Sequence, residues 1–297
     1  MGVIIAGGTG FLGQKLSARL SGEGHQVQIL TRRTAATPNQ ITWNPDGSPG
    51  ELSQHLDGAD AVVNLSGENL AEGRWTPARK AQLHSSRVLP TRTLVRAMDQ
   101  CARPPKVFVS ASAVGYYGPR GDEPVPETTP PGSDFLAKIC IAWEQEARAS
   151  EGRSTRLVLV RSGIALAGDG GALAKMLLPF KLGLAATLGS GQQFFPWIHV
   201  DDWSALVSWM IHDERAAGAF NASAPVPVTN RTFTRTLARV LGRPAILHAP
   251  AFAMRAVMGQ MAEMLLNGQR AIPACAEQSG FQFVHRELEP ALHSLHL

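Results

Sequence analysis

Short apolar segments alternate with longer amphipathic segments through the first half of the chain. The apolar segments, each long enough for one buried strand, are Gly2–Ala6, Gln26–Thr31, Asp60–Leu65, Lys106–Ser112 and Arg156–Arg161. The amphipathic segments, which predict helices, are Phe11–Leu20, Pro77–Cys101 and Asp134–Ala149. Because strands that are apolar throughout are buried on both faces, we predict an α/β fold with a Rossmann-type doubly wound parallel sheet.

The second half of the chain has a looser pattern. Predicted helices there are separated by loops rich in glycine and proline, and they cover Leu173–Leu182, Asp202–His212, Thr232–Leu241 and Phe252–Leu266. We therefore predict a cofactor-binding Rossmann domain over residues 1–165. Residues 166–297 are expected to form late Rossmann segments and a smaller C-terminal cap on the substrate side.

The turn after the first predicted strand has the spacing Gly-x-x-Gly-x-x-Gly, from Gly7 to Gly13. In a dinucleotide-binding unit these glycines permit a tight turn, close approach of the backbone to the pyrophosphate, and packing of helix on strand. The following helix offers free N–H groups to the phosphates. Because the turn joins an apolar strand to an amphipathic helix, it predicts a bound dinucleotide. The residues expected to contact the dinucleotide are Gly7, Thr9, Gly10, Phe11, Leu12 and Gly13.

The end of the second predicted strand indicates which dinucleotide is bound. Sites that prefer NAD usually carry an acidic residue about 20 residues after the glycine turn. This chain has Thr31, Arg32 and Arg33 at that place and no acid. Guanidinium groups pair well with a 2′-phosphate, so we expect NADP(H) as the cofactor, with these three residues in contact with it. The alternative is that the two arginines are merely solvated in a loop.

Composition argues against several classes of protein. The net charge is +4, but the basic residues are scattered, so nucleic acid binding is not indicated. Cys101, Cys140 and Cys275 are odd in number and far apart, which suits a reducing compartment better than a disulfide framework or a zinc cluster. No run of about 18 apolar residues predicts a membrane span, and the N-terminus lacks a signal-peptide pattern. We expect a cytoplasmic protein that contacts no membrane.

Motifs spread over nearly the whole chain resemble those of one known family. They are Gly7–Gly13, Asn64–Glu68, Arg74-Trp75, Ser86-Arg87, Gly115–Gly118, Phe135, Trp143-Glu144, Arg161–Gly163, Met176–Gly183, Gly189–Gly191 and Trp197–His199. Together the motifs resemble the epimerase-like, atypical branch of the extended short-chain dehydrogenase/reductase family. The positions of Gly268–Arg270, Pro273 and Gly280-Phe281 fit the short C-terminal domain of that branch.

The resemblance carries expectations about fold and contacts. It implies a parallel sheet of about seven strands, an NADP-binding cleft, and a homodimer formed through the helices Pro77–Cys101 and Asp134–Ala149. By analogy, Asn64 and Leu65 line the adenine–ribose side of the cofactor, and Arg87 and Gly163 approach it. For Arg87 a structural ion pair on its helix is an equally open reading.

The catalytic motif of the wider superfamily is missing. Typical members use Tyr-x-x-x-Lys on one helix, where the lysine helps the phenol to exchange a proton during hydride transfer. The only tyrosines here are Tyr116 and Tyr117, and neither is followed by lysine at that spacing. Alignment on the following glutamate places Leu136 and Cys140 at the two positions, and Lys138 lies on another side of the helix.

Polar residues near the predicted sheet edge are the remaining catalytic candidates. They are Ser112, Tyr116 and Tyr117, with the alternative that the tyrosines pack against the cap and the serine caps a turn. Three acids in the same loop, Asp122, Glu123 and Glu127, fit a solvated face better. We expect no metal at His199, since no second histidine stands near it in the sequence. For Trp197 and Phe194-Phe195, core filling is favoured over a pocket wall.

Two functions remain open from the sequence. One is an NADP(H)-dependent oxidoreductase or epimerase-type enzyme that acts on a small hydroxyl- or carbonyl-bearing substrate. The other is a non-catalytic NADP(H)-binding protein that senses the cofactor or regulates a partner. The missing Tyr-x-x-x-Lys favours the second, whereas the intact glycine turn together with polar residues at the sheet edge favours the first.

Overall fold

The computed structural model of the chain describes residues 1–297 as an α/β structure with 15 strands and 11 α-helices. The strands are β1 Gly2–Ala6, β2 Gln26–Thr31, β3 Gln40–Thr42, β4 Ala61–Asn64, β5 Val107–Ala113, β6 Pro124–Val125, β7 Arg156–Ser162, β8 Ile164–Ala167, β9 Ala186–Leu188, β10 Phe194–Phe195, β11 Trp197–His199, β12 Gly218–Ala222, β13 Val228–Thr229, β14 Leu247–Ala249 and β15 Arg270–Ala271. The helices are α1 Phe11–Gly22, α2 Leu52–Leu56, α3 Pro77–Met98, α4 Phe135–Arg148, α5 Gly171–Lys181, α6 Val200–His212, α7 Asn230–Val240, α8 Ala251–Met258, α9 Glu263–Leu266, α10 Ala274–Gln278 and α11 Leu288–Ser294. Two short 3₁₀ segments cover Val114–Tyr117 and Gly259–Ala262.

Seven of the strands form one parallel sheet in the order β12-β7-β5-β4-β1-β2-β3. In its register Val3 lies between Val27 of β2 and Ala61 of β4. The direction of strand succession reverses at β1, and ligands of open α/β sheets bind at the carboxyl edge beside that reversal. The predicted Rossmann-type sheet is confirmed, and the glycine turn lies at its switch point.

Alternating side chains of β1 feed two separate cores. Val3 and Ile5 pack on one face, in the same cluster as Leu16 of α1 and Trp203 of α6. Ile4 and Ala6 point to the other face, in the cluster that includes Leu94 of α3. Because a strand buries both faces only when helices cover both, the uninterrupted apolar sequence of β1 is the direct signature of this layering.

A third core lies outside the sheet, in the C-terminal part of the chain. It joins Leu177 of α5, Trp197, Phe233 of α7 and Leu292 of α11, and Trp197 is almost fully buried. The rings of Phe195 and Phe233 stack with centroids 4.0 Å apart. These aromatic residues therefore fill a core, as favoured from the sequence.

Two features differ from the sequence prediction: the extent of one helix in the second half and the edge strands of the sheet. The single helix expected over Phe252–Leu266 is wrong: α8 ends at Met258, because the φ of +61° at the next residue, Gly259, is the left-handed conformation that stops a helix. The edge strands β3 and β12 were not predicted, because they are short and contain polar residues or glycine. None of the helices is both long and apolar enough to cross a membrane.

Candidate functional site

The glycine turn is held by backbone contacts that leave no room for side chains. Gly7 has a φ of +79°, and a Cβ there would lie 2.7 Å from the carbonyl oxygen of Leu65. A Cβ on Gly13 would lie 2.6 Å from the Cα of Gly8 and would also collide with the carbonyl oxygen of Gly7. The amide of Gly10 donates to that same carbonyl at 3.0 Å. Glycine at these positions therefore sets how closely α1 approaches the end of β1.

The N-terminus of α1 is free to bind an anion. Its N-cap residue, Gly10, has no side chain to accept a hydrogen bond, and the amides of Phe11 and Leu12 donate to no acceptor in the chain. Unpaired first-turn amides together with the helix dipole form a phosphate-binding arrangement. This feature is what a dinucleotide pyrophosphate requires, so the residues present fit the cofactor expected from the sequence.

The loop before α5 packs against the glycine turn. A Cβ on Gly170 or on Gly171 would lie within 2.8 Å of the Phe11 ring, so the ring occupies the space that these glycines leave open. Lys15 of α1 pairs with Asp169 of the same loop at 2.5 Å. The two halves of the chain therefore meet beside the phosphate-binding turn.

Arg32 and Arg33 lie exposed directly after β2. Neither guanidinium forms a hydrogen bond or an ion pair within the chain. The loop itself is fixed, because the amide of Arg33 donates to Oγ1 of Thr31 and its carbonyl accepts from Oγ1 of Thr42, each at 3.2 Å. Two unpaired guanidinium groups on a fixed loop are available to a 2′-phosphate.

Asn64 and Leu65 shape the edge of the sheet from within. The side-chain amide of Asn64 is fully buried. Its nitrogen donates to Oγ1 of Thr91 at 2.8 Å, and its oxygen accepts from the backbone amide of Ser66 at 3.1 Å. The main chain of Leu65 faces Gly7. In this structure Asn64 acts on the loop, and the expected contact of these two residues with the cofactor stays a prediction.

Arg87 and Gly163, two further expected cofactor contacts, are both engaged in packing. The guanidinium of Arg87 is buried and donates to the carbonyl oxygens of Leu83 and Glu68, each at 2.9 Å. The guanidinium forms no ion pair with a carboxylate, so the ion pair considered as an alternative is wrong. Burial of the guanidinium lowers the pKa of Arg87. At Gly163 a Cβ would collide with the carbonyl oxygen of Pro196. Their contact with the cofactor stays a prediction.

A buried charge pair lies beneath the carboxyl ends of β5 and β7. Arg161 and Glu144 are each 3% exposed and form a two-pronged ion pair, with Nε–Oε1 at 2.8 Å and Nη2–Oε2 at 2.9 Å. The hydroxyl of Ser112 donates to the same Oε1 at 2.7 Å. Burial alone would lower the pKa of Arg161, but the hydrogen bonds and charge of Glu144 raise it. The Ser112 hydroxyl is thus directed inward, to this pair.

The same arginine fixes Tyr117. Its Nη1 donates to the Tyr117 hydroxyl at 2.9 Å, and that hydroxyl donates to Oδ1 of Asn221 on β12 at 2.7 Å. Tyr117 is fully buried, and its burial raises its pKa to about 12 despite the neighbouring guanidinium. Its phenol therefore stays protonated and bonded on both sides.

Glu127 belongs to this network as well. Its carboxylate accepts hydrogen bonds from two backbone amides, that of Asn221 at 2.9 Å and that of Cys275 at 3.1 Å. The solvated position expected for Glu127 is wrong, because the loop folds inward and the carboxylate ties two backbone segments together. Four residues of this network were not identified as site residues from the sequence: Glu127, Glu144, Arg161 and Asn221.

Tyr116 differs from the other two catalytic candidates. Its ring is half-buried and lies flat against the guanidinium of Arg161, 3.6 Å from ring centroid to Cζ. It also meets the Tyr117 ring edge-on at 5.4 Å. Its hydroxyl has no partner in the chain, whereas those of Ser112 and Tyr117 are both bonded within it. Among the three candidates, only the Tyr116 hydroxyl is left free for a ligand.

The positions of the missing Tyr-x-x-x-Lys pair are apolar. Leu136 and Cys140 lie under Gly115, and burial raises the pKa of the Cys140 thiol to about 12. Lys138 is exposed on another side of α4, as the helical spacing predicts. Around Leu136 there is an apolar cluster shared by the loop after β4, α3, α4 and the segment after α8: Leu70, Trp75, Leu83, Phe135, Ile139, Met261 and Met264.

His199 meets a second histidine that the sequence did not reveal. His285 stacks on it with ring centroids 3.7 Å apart, and Asp201 completes a group whose ligand atoms lie within 4.8 Å of one another. However, Nδ1 of His199 accepts from the amide of Asp201 at 3.1 Å, and Nε2 lies 3.3 Å from the hydroxyl of Ser294. Both ring nitrogens are engaged, so His199 serves as the N-cap of α6.

The buried His199 should make stability depend on pH. Burial, followed by the neighbouring His285, lowers the pKa of His199 below its ordinary value of 6.5. A histidine with a lowered folded pKa stabilises the fold above its unfolded pKa, and this contribution is lost as the pH falls below it. We expect the melting temperature to fall as the pH is lowered through 6.5, and to fall less steeply in a His199→Gln variant. Parallel slopes for the two proteins would contradict this role.

Comparison with known proteins gives consistent matches. The model of the NAD dependent epimerase/dehydratase family matches residues 3–223, and a domain of unknown function, DUF1731, matches residues 249–295. Epimerase family protein Mb2239 of Mycobacterium bovis is 41% identical over 98% of this chain and 96% of its own length. The crystal structure of human epimerase family protein SDR39U1 (isoform2) with NADPH is 38% identical, covers 99% of each chain and superposes with a TM-score of 0.93. A nucleoside-diphosphate sugar epimerase from Corynebacterium glutamicum is 33% identical, with a TM-score of 0.82 over 99% of this chain and 58% of that one.

Proposed function

The chain belongs to the NAD dependent epimerase/dehydratase family, and on that premise we propose that it is an NADP(H)-dependent enzyme of oxidoreductase or epimerase type. The observation that carries the proposal is that the chain has both an uncapped α1 N-terminus and, after β2, two arginines without a partner, Arg32 and Arg33. The similar human protein, crystallised with NADPH, supports the choice of cofactor. The pyrophosphate would lie on the turn from Gly7 to Gly13, and the 2′-phosphate would lie on the two arginines.

Tyr116 is the group we assign to proton transfer. When bound, NADP(H) supplies or accepts a hydride at its nicotinamide ring. In the reductive direction the Tyr116 hydroxyl gives its proton to the substrate oxygen and becomes a phenolate, and in the reverse direction the phenolate takes the proton back. The tyrosine lies in the 3₁₀ segment that directly follows β5, so it stands at the same carboxyl edge as the glycine turn. Ser112 and Tyr117 act as positioning residues, because they hold Glu144 and Arg161 beneath the Tyr116 ring.

The apolar cluster around Leu136 indicates the character of the substrate. Trp75 and Phe135 meet edge-on at 5.1 Å, and Met261 and Met264 cover them from the segment after α8. Methionine side chains adapt their shape to varied apolar groups. We propose a small hydroxyl- or carbonyl-bearing substrate whose reacting carbon carries an apolar substituent.

Arg32 and Arg33 should determine the choice between the two nicotinamide cofactors. Replacing both with alanine removes two charged donors from the 2′-phosphate, each worth about 1.5–3 kcal/mol. We expect NADPH to bind more than about tenfold more weakly, with NADH affinity unchanged, in a fluorescence titration. Equal weakening of both cofactors would mean that the arginines act on the fold instead of on the phosphate.

Substitution of Tyr116 tests the assignment of proton transfer. We expect Tyr116→Phe to lower turnover about 10²–10⁴-fold, the usual contribution of a general acid, with NADPH affinity unchanged. The assay is NADPH oxidation over a panel of aldehydes and ketones that carry apolar substituents. Tyr117→Phe removes two buried hydrogen bonds from the adjacent ring, so it should lower the melting temperature while turnover falls much less than in Tyr116→Phe. Full turnover in Tyr116→Phe would overturn the assignment.

A non-catalytic cofactor-binding protein is the second candidate function. The observation that favours it is the replacement of the usual phenol–ammonium pair by Leu136 and by Cys140, whose pKa is raised to about 12. In that case the protein would bind NADPH and oxidise it with no member of the panel. The same assay therefore separates the two functions.

A homodimer through α3 and α4 and a cytoplasmic location remain predictions. Arg92 of α3 pairs with Glu146 of α4, and Arg153 pairs with Asp99 just beyond the C-terminal ends of the two helices. The large apolar side chains that are exposed lie outside α3 and α4: Met1, Leu178, Leu182, Leu184, Val226, Ile246, Leu247, Phe252, Val257 and Val284. A dimer formed through α3 and α4 would therefore rest on polar contacts.

A further inference from the structure

A groove in the C-terminal part of the chain has a composition that suits an anionic ligand. It encloses about 850 Å³ and lies between the start of α7 and the paired strands β9 and β14. Its basic lining residues are Arg231, Arg235 and His248, and no aspartate or glutamate lines it. It shares no residue with the glycine turn or with the arginines after β2.

Arg231 and Arg235 are placed to act together. They stand four residues apart on α7, so their side chains share one face of the helix. The guanidinium of Arg235 has no hydrogen bond or ion pair within the chain, and the guanidinium of Arg231 donates only to the carbonyl oxygen of Ser190, at 3.0 Å. By contrast, Arg239 on the same helix pairs with Glu289 at 2.8 Å. Arg235 therefore resembles Arg32 and Arg33 in being an exposed guanidinium with no partner.

The rest of the groove combines one anchored polar group with an apolar wall. Nε2 of His248 lies 2.6 Å from the carbonyl oxygen of Gly189, so it donates to that oxygen and the ring is held in place. Ile246, on the strand side, is 84% exposed, and Leu247 is 42% exposed. Aliphatic side chains beside unpaired arginines suit a ligand with an apolar or aromatic portion next to an anionic one.

We propose that this groove binds the phosphate or diphosphate of a small molecule that also carries an apolar or aromatic group. The guanidinium of Arg235 and the free donors of Arg231 hold the phosphate oxygens, since planar guanidinium forks match the geometry of phosphate. Ile246 and Leu247 cover the apolar portion. The site is independent of the cofactor assignment, because no residue is common to the two.

Calorimetric titration of the NADPH-saturated protein tests the phosphate site, with inorganic pyrophosphate as the probe. Saturation keeps the probe away from the cofactor turn. We expect pyrophosphate to bind wild-type protein, and Arg235→Ala to weaken this binding about tenfold or more. Arg239→Ala, on the same helix but outside the groove, should leave the affinity unchanged. Absence of pyrophosphate binding at millimolar concentration, or equal weakening in both variants, would overturn the proposal.

Two further ligands test the apolar wall and distinguish the source of the phosphate. ADP presents an aromatic base, and hexyl phosphate presents an alkyl chain. ADP is compared with pyrophosphate, and hexyl phosphate with inorganic phosphate. At least one of the two should bind more tightly than its reference anion. Ile246→Ser should remove this gain in affinity while leaving pyrophosphate affinity unchanged. The ligand with the larger gain over its own phosphate group identifies the natural ligand as a nucleotide or an alkyl phosphate. If neither gains affinity, the apolar part of the proposal is wrong.

Discussion

Gly13→Ala should abolish most NADPH binding. The new Cβ would meet the carbonyl of Gly7 and the Cα of Gly8, and both are backbone atoms that no side-chain rotation can move. The start of α1 must therefore move away from β1, and the free amides of Phe11 and Leu12 move with it. Overpacking of this kind is worth about 1–3 kcal/mol, so we expect NADPH affinity to fall about tenfold or more and the melting temperature to fall as well.

Gly22→Ala is the matched control for this substitution. It lies in the same helix, and a Cβ there would meet nothing within 4 Å. Alanine is favoured over glycine in helices, so the control should bind NADPH normally and be at least as stable. Normal NADPH affinity in Gly13→Ala would show that the close approach of α1 to β1 is not required for the cofactor.

Arg161→Met should have the largest effect on stability. It removes both close guanidinium contacts of the almost fully buried Glu144 carboxylate and leaves only Arg148, at 3.9 Å, and it removes a donor from the Tyr117 hydroxyl. Removing one partner of a buried ion pair lowers the free energy of unfolding by about 3–5 kcal/mol. Denaturant unfolding measures this change directly.

Two variants test whether the buried charge of Glu144 causes the loss of stability in Arg161→Met. Arg148→Met, also next to Glu144, removes a guanidinium that is 41% exposed and pairs mainly with Glu151, so its effect should stay below about 1 kcal/mol. Combining Arg161→Met with Glu144→Leu removes both charges and should recover part of the lost stability. A double variant as unstable as Arg161→Met alone would place the cause elsewhere.

The sheet and its switch point were predictable because local pattern determines them. The uninterrupted apolar sequence of β1 predicts burial on both faces, and the glycine spacing predicts the turn that follows. The edge strands β3 and β12 were not predicted, since β3 has only three residues and β12 begins with glycine, so both become strands only through pairing with β2 and β7. Likewise, Gly259 ends α8 within a segment whose apolar spacing alone suggests one long helix.

The site was only partly predictable, because its polar network joins residues distant in sequence. Glu127 on a loop meets Asn221 and Cys275, and no periodicity brings those three together. One signal was present: Arg161 directly follows the four apolar residues 157–160 of β7, and a charge within a buried strand implies a buried partner. That signal indicates a partner without naming Glu144. His285 beside His199 was hidden for the same reason.

Direct comparison of NADPH and NADH affinity for the wild-type protein tests the central claim, that the α1 N-terminus and the two arginines after β2 form an NADP(H) site. The two cofactors differ only in the 2′-phosphate, so the free-energy difference between them reports what Arg32 and Arg33 contribute. We expect NADPH to bind at least about tenfold more tightly at low ionic strength, and the gap to narrow as salt is added. Equal affinity for NADPH and NADH would contradict the claim.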